Sequence, residues 1–595
     1  MKQRLGVIVG ILAALVLGAS AVAGPASAAD PGTVKLQKKA KKAQKKAKKT
    51  CKAVKKAKRG KAKAKAKKRC KAAKKAAKKA KKKVKTYNAQ FFDVCKHGCK
   101  YNTIQKGVDA AGRWSARNKG RDATVRVQPG VYKEGVLVHG KREGYDFDGL
   151  TIKGVTKGLV DNKNARAVIL EGDGALTDMK ASPNWRPGDP TTQAAQNAIE
   201  GISTVGLKMK NMWARHYLNN TFFVHASNVQ EDGEYCADYV MDNLVSSDTR
   251  AYGLFARNCF GGKIINSEGW GHGDSTVYIG ETPCDKWDWS NKDDVNEPCQ
   301  ANPKWTIVKN IKAWGNPLGY SGTNSKYVKI TDSMWFNNGA GIVPNTLDSE
   351  KFEPTGDLII ENNDIMWNNY NYYRADSGYN NVIGNGNPIG VGVMLYGADG
   401  VTVRNNNIFG HEKWGAAAFS GPELFDVNKG DDAKNLNNHF INNKMGRNGQ
   451  DKNAIDFFND ASGGGNCWSG NTANGGVTYA PGNGSSPLDV IYPACQDPHP
   501  KVLWKDTSSF NLDAGLQVNM AYVDLIGGVI EPWRDLSTIF GVAEVRPSEL
   551  QECGMTLTDH PPYTVGGQTY EATHASRVPE QDCIDLANRP TPWNP

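Results

Sequence analysis

The chain has 595 residues, 39% of them hydrophobic, and a formal net charge of +16. The charge is unevenly placed: 29 of the 76 Lys and Arg residues lie between Lys35 and Lys85, and from residue 86 onward 45 basic residues face 59 acidic ones. The pI of about 9.1 therefore describes a basic arm on an acidic body, not a uniformly cationic nucleic-acid-binding protein.

Lys2 and Arg4 precede the apolar run "LGVIVGILAALVLGASAVAG", and Ala26-Ser27-Ala28 has the small-x-small spacing of a signal-peptidase site. This predicts a secretory signal peptide over 1–28. No later stretch is apolar for long enough to predict a membrane span.

Residues 29–86 are mainly lysine and alanine, and residues 31–92 contain no Asp or Glu. Both residue types favour helix, but dense like charge opposes a lone one. The segment is predicted to be a disordered basic arm, either a solvated spacer or a tether that becomes helical on a polyanion. Secretion directs it toward acidic polysaccharide, a cell-wall polyanion or anionic lipid, and away from physiological nucleic acid. Cys51 and Cys70 have no evident partner in the arm except each other.

From 87 the composition turns to Gly and Asn with few helical periods after "YNTIQKGVDAAGRWSARN". Short strands and Asn-rich corners recur: "GLKMKNMWARH" from Gly206, "DYVMDNLVSSD" from Asp238, "GGKIINSEGWG" from Gly261, "WTIVKNIKAWG" from Trp305, "DLIIENNDIMWNN" from Asp357, "GVTVRNNNIFGHEKWG" from Gly400. Such a repeat is a solenoid signature, because one coil cannot bury its own apolar face. Asn266, Asn310, Asp332, Asn362, Asn405 and Asn442 occupy comparable corners, where a left-handed backbone is tolerated, and are expected to form an internal ladder.

These repeats resemble the right-handed parallel β-helix family, the pectate-lyase-like superfold, in its secreted bacterial form. The opening "YNTIQKGVDAA" followed by "ATVRVQPGVYKEGVLVHG", with G-x-Y-x-E at Gly130, Tyr132 and Glu134, is similar to the start of many such domains. The resemblance implies an all-β fold, a right-handed parallel β-helix over 87–475 with an N-terminal capping helix, and a C-terminal cap or irregular appendage over 476–595. The family includes lyases, epimerases, hydrolases, tailspikes and non-catalytic surface proteins, so the fold alone does not deliver an activity. Gly271-His272-Gly273 matches a triplet of polygalacturonase-like hydrolases, but their Asn-x-Asp and Asp-Asp pairs are not found in the expected order. "YGLFARN" at 252–258 shares only its first two residues with the Tyr-Gly-x-Asp-Pro-His of alginate epimerases.

Aligning "AYGLFARN" (251–258) with "STVYIGET" (275–282) gives a coil offset of 24. It sets His272 beside Asp248 and Asp274 beside Arg250. Lyase or epimerase chemistry on a uronate needs a neutralised carboxylate, a base and an acid. Arg250 could neutralise, His272 act as base, and Tyr252 or Tyr278 act as acid. Calcium could replace the arginine if Asp248, Asp274 and Glu268 converge; no transition-metal motif is evident. A hydrolase would want two carboxylates instead, and Asp248 with Asp274 is the pair this offset provides. The alternative is a structural ladder pair and a corner histidine.

Trp213, Trp270, Trp314, Trp335, Trp367 and Trp414 recur after the Asn corners, as a sugar-stacking ladder in a groove or as a core stack. The acidic insertion at 281–303 adds Trp287 and Trp289 to the aromatic candidates. The expected disulfides are Cys95–Cys99, Cys236–Cys259, Cys284–Cys299, Cys467–Cys495 and Cys553–Cys583. The sequence thus points to a secreted carbohydrate-active protein that acts on or binds acidic, uronate-containing polysaccharide, as a lyase or epimerase. The other class is a non-catalytic cell-surface or matrix protein that binds glycans or polyanions.

Overall fold

The computed structural model describes residues 31–56, 60–140, 142–172, 197–217, 219–226, 235–249, 251–284, 303–347, 350–370, 389–419, 435–459, 463–480, 492–495, 563–565 and 568–570. The body is a right-handed parallel β-helix. One sheet of eleven parallel strands runs the length of the solenoid, from Val136–His139 through Leu254–Arg257 and Ser275–Gly280 to Tyr479–Ala480. The facing sheet carries two strand rows per coil, separated by a bend.

The bend is made by the corner residues. Asn211, Asn243, Asn266, Asn310, Asp332, Asn362, Asn405 and Asn442 all have φ between 51° and 61°. Asn and Asp visit this left-handed region at lower cost than most residues. Asn266, Asn362, Asn405 and Asn442 are exposed, and Asn310 and Asp332 are half-buried, so these corners are not the internal ladder. The internal ladder lies one residue later. Asn363 Nδ2 donates to Asn406 Oδ1 at 3.0 Å, Asn406 Nδ2 to Asn443 Oδ1 at 3.0 Å, and Asn443 Nδ2 to Asn471 Oδ1 at 2.9 Å. Each amide also takes a backbone N–H from the preceding coil and donates to a backbone carbonyl. That pairing is what a buried polar side chain requires.

Coil repeats bury the inward apolar residues of every strand in one shared core. In the eleven-stranded sheet, Phe222, Leu254, Val277, Tyr320, Ile342, Val393, Ala416 and Phe457 stand in register and belong to the main core. Near the strand starts the backbone is tight. A Cβ on Gly319, Gly341 or Gly392 would lie 2.4 to 2.6 Å from the carbonyl oxygen of the next coil.

The N-terminal end is capped as expected. Helix α3 (Ile104–Arg117) buries Ile104, Val108 and Ala111 against the first coils. Thr103 caps it by accepting from Lys106 N. Glu134, the acid of the G-x-Y-x-E stretch, accepts the N–H groups of Ile104 and Gln105 at 2.8 and 3.1 Å, satisfying two donors that have no partner within the helix.

Where the expected disordered arm is described, it is helical. Pro31–Lys56 (α1) and Lys61–Ala89 (α2) are helices that pack together, joined by Cys51–Cys70. The body holds Cys95–Cys99, Cys236–Cys259 and Cys467–Cys495 as expected. Cys284 is also disulfide-bonded, while Cys299, Cys553 and Cys583 lie outside the described residues. Most of 476–595 lies outside them too. No helix among the described residues is long and apolar enough to cross a membrane.

Candidate functional site

The coil offset at "NSEGWGHGD" is 23, not 24. Thr249 pairs with His272 and Leu254 with Val277. The one-residue difference changes which groups meet, because each strand residue has a fixed partner in the next coil.

His272 points into the solenoid and is fully buried. Its Nε2 lies 3.1 Å from Ser246 Oγ and its Nδ1 2.9 Å from Thr249 Oγ1, while its backbone N–H donates to Asn316 Oδ1 at 2.9 Å. Burial pushes its pKa down to about 4; Asp248 and Ser246 oppose the shift without reversing it. His272 heads a second internal ladder that continues through Asn316, Asn338 and Asn368 to His411 and Asn453. His411 is equally buried, with a pKa of about 4 from the same desolvation. In this position the imidazole fills the slot that Asn fills in neighbouring coils. It has no face on which to meet a polymer. Asp248 is fully buried at a left-handed corner (φ 54°), and its carbonyl accepts from His216 N. Arg250 lies outside the described residues.

Trp270 and Trp314 are core residues, not platforms. They are 0% and 1% exposed and stack at 4.9 Å, in a cluster with Trp213, Met334, Phe336, Met366, Trp367 and Phe409. Trp335 belongs to the main core and Trp414 to an apolar cluster of the eleven-stranded sheet, so the six tryptophans occupy three separate places. Trp287 and Trp289 lie outside the described residues. Glu268, offered as a calcium ligand, is bound by Arg166 at 2.9 Å. Among the described residues no three His, Cys, Asp or Glu side chains converge as a metal site.

Tyr252 and Tyr278 do come together, with ring centroids 4.6 Å apart. Tyr278 belongs to the outer face of the eleven-stranded sheet, because its strand neighbour Val277 points inward to the core, and Tyr252, just before its strand, joins that face by packing on Phe255 and Tyr278. On that face Glu200, Phe223, Phe255 and Tyr278 stand in register across four coils. Phe223 stacks on Phe255 at 4.2 Å and on His225 at 4.3 Å. His225 Nε2 lies 3.0 Å from Glu200 Oε1. Phe223, His225, Tyr252 and Arg257 are only half-buried.

Two further carboxylates complete the patch. Tyr278 donates its hydroxyl to Glu350 Oε2 at 2.7 Å. Arg257, a neighbour in the same sheet, bonds Glu281 Oε1 at 2.5 Å. Burial raises the Glu350 carboxyl to about 7, with the Glu281 charge adding to the rise and the Tyr278 hydrogen bond and Arg257 opposing it. Burial first, then the charges of Asp274 and Glu350, hold the Tyr252 phenol well above its ordinary range. The patch therefore offers a carboxyl poised near neutrality, an Arg–Glu ion pair, and aromatic faces. Glu350, Glu281, Arg257 and Phe255 were not among the sequence candidates. Glu350 reaches the site from 72 residues beyond Tyr278, through a loop with no repeat to align. Arg257 and Glu281 were aligned by the 24-residue offset but passed over in favour of His272; in the observed register Arg257 pairs with Gly280, and its side chain reaches Glu281 one residue on.

No family model matches the chain, and no curated protein sequence matches it. Among solved structures, a complex of XylC with xylose aligns at a TM-score of 0.35 and 9% identity, covering 60% of this chain and 68% of that one. The catalytic domain of a GH87 α-1,3-glucanase in complex with tetrasaccharides aligns at 0.31 and 11%, covering 68% and 67%. The Dettilon tailspike protein aligns at 0.29 and 10%, covering 64% and 65%.

Proposed function

We propose that the protein is carbohydrate-active, binding a glycan on the outer face of the eleven-stranded sheet and cleaving it by acid–base chemistry centred on Glu350. The observation that carries this reading is the grouping of Glu350, Tyr278, Glu281 and Arg257 beside half-buried aromatic side chains. Half-buried rings offer apolar area with a polar rim, which suits the face of a sugar. Two carboxyl groups in unlike environments are the starting point of glycoside cleavage. With a pKa of about 7, Glu350 is partly protonated at neutral pH and can give a proton to a departing glycosidic oxygen. The Arg257–Glu281 pair gives the site a fixed charged wall, and Tyr278 orients the acid. Asp274, Glu281 and Glu350 outnumber Arg257 here, which favours a neutral sugar in this patch over the uronate expected from the sequence. The disulfides fit an oxidising, extracellular setting, as the expected signal peptide does.

The test is a panel of neutral and uronate polysaccharides incubated with the protein, reading new reducing ends and the ultraviolet absorbance of unsaturated products. Reducing ends without absorbance support hydrolysis; absorbance from a uronate restores the lyase reading. Binding without either product, equal in wild type and Glu350→Gln, makes this a glycan-binding surface protein. Binding that survives both Phe255→Ala and Tyr252→Ala puts the site elsewhere.

A further inference from the structure

The basic arm folds on itself, and the fold explains which residues face outward. Cys51 and Cys70 join α1 to α2. With that bond as anchor in an antiparallel pair, Ala40, Ala43, Ala47 and Val54 of α1 come level, within one residue, with Ala80, Ala77, Ala73 and Ala66 of α2. Together with Cys51 and Cys70 these residues are spaced three and four apart along each helix, the heptad-like spacing of a helix–helix seam. Burial agrees: Ala40 and Ala47 are 7% exposed, and Ala43, Val54, Ala66, Ala73, Ala77 and Ala80 are half-buried. Lys38, Lys41, Lys45, Lys48 and Lys52 on α1, and Lys65, Lys71, Lys74 and Lys78 on α2, are exposed. The result is a rod pair roughly 40 Å long at 1.5 Å per residue, with an alanine interior and a lysine exterior.

Nothing within this hairpin neutralises it, since 31–92 contains no acidic residue. An alanine seam buries little apolar area, so repulsion among the lysines works against the fold. The disulfide offsets this by restricting the open chain. We propose that the hairpin is a pre-organised docking element for a linear acidic polysaccharide. Three features select that partner. The basic residues are lysines apart from Arg59 and Arg69, and a lysine ammonium is a hydrated point charge that reads charge density, without the planar fork that arginine brings to bases and phosphates. Residues 31–86 contain no aromatic side chain on which a nucleobase could stack. The small apolar stripes of both helices are spent on each other, which leaves no apolar face to enter a lipid surface. A carboxylate polymer laid along the rods meets lysines at every turn without any specific register.

The hairpin shares no residue with the Glu350 patch, so the two readings fail separately. Binding of the full chain to alginate, a polyuronate, is measured at several salt concentrations, beside duplex DNA and vesicles of anionic phospholipid. Affinity for alginate is expected to fall steeply and log-linearly with salt, as counterion release requires. Replacing Lys38, Lys41, Lys45, Lys48 and Lys52 with Gln is expected to weaken it about tenfold or more and flatten the salt slope. Cys51→Ser with Cys70→Ser should weaken it severalfold with every charge retained, because the rods must then be ordered on binding. Alginate binding that is absent, insensitive to salt, or unchanged in the Gln variant overturns the proposal. Binding confined to DNA or to vesicles overturns the choice of partner. An unchanged affinity in the Ser variant overturns pre-organisation.

Discussion

The second internal ladder and the outer patch both contain ionisable groups displaced from their ordinary pKa by burial, yet they differ in kind. In the ladder, His272 and His411 have both ring nitrogens beside hydrogen-bonding partners and no exposed surface. In the patch, Glu350 is half-buried, bonded on one oxygen by Tyr278, and surrounded by other partly exposed groups. A shifted pKa therefore does not identify a site here. Which side of the sheet the side chain leaves from does.

Removing a rung should show the ladder's structural role most strongly. Asn338 accepts from Asn316 and donates to Asn368 and to two backbone carbonyls. Asn338→Ala is expected to cost about 3 to 5 kcal/mol, since several buried groups lose partners at once. Chemical denaturation reads this, and a loss below about 1 kcal/mol would mean that water replaces the amide at little cost. In the patch, Glu350→Gln should lower glycan turnover about 100-fold, or roughly 2.7 kcal/mol in the barrier, with the melting temperature held. A parallel fall in both would make Glu350 a packing residue.

The histidines give the comparison a pH signature. His272 and His411 have folded pKa values of about 4 against an ordinary 6.5. Between those values the unfolded chain takes up protons that the native state refuses, so stability falls as the medium is acidified from about pH 6.5 toward 4. The slope should approach about 1.4 kcal/mol per pH unit for each histidine. Replacing both with Asn, the residue of the neighbouring rungs, should flatten that part of the curve; an unaltered slope would assign the acid sensitivity to other groups. The smallest effect belongs to the outer corners. Asn405→Ala should cost about 1 kcal/mol for a left-handed φ of 56°, and Asn405→Gly little or nothing.

The solenoid was legible because its signals are local and repeated. Strand, Asn corner and strand recur, and the capping helix announces itself through the "YNTIQKGVDAA" opening and the G-x-Y-x-E stretch that follows. The internal ladder was misplaced by one residue because consecutive Asn residues, as at Asn405 and Asn406, look alike in sequence while one bends the chain outward and the next points in. The site was half legible. Tyr252 and Tyr278 lie at neighbouring strands of successive coils joined without an insertion. A glycine match shifted the register by one residue, however, and that hid Thr249 as the neighbour of His272. The tryptophans recur in sequence but not in direction: Trp270 and Trp314, four residues past their corners, share one cluster, Trp335, three past Asp332, turns to the main core, and Trp414 lies on the eleven-stranded sheet.

Successive rungs of the second ladder are separated by 44, 22, 30, 43 and 42 residues. The hydrogen bonds along it nevertheless stay within 2.9 to 3.1 Å. Insertions of twenty residues thus enter a coil without disturbing the axis. Such a chain separates two kinds of inheritance: the rungs must be kept, while the segments between them can lengthen and change composition independently. Glu350 sits in one of these segments. A new specificity in a descendant of this molecule would need no renegotiation of the core; it would require only a different loop between two unchanged rungs.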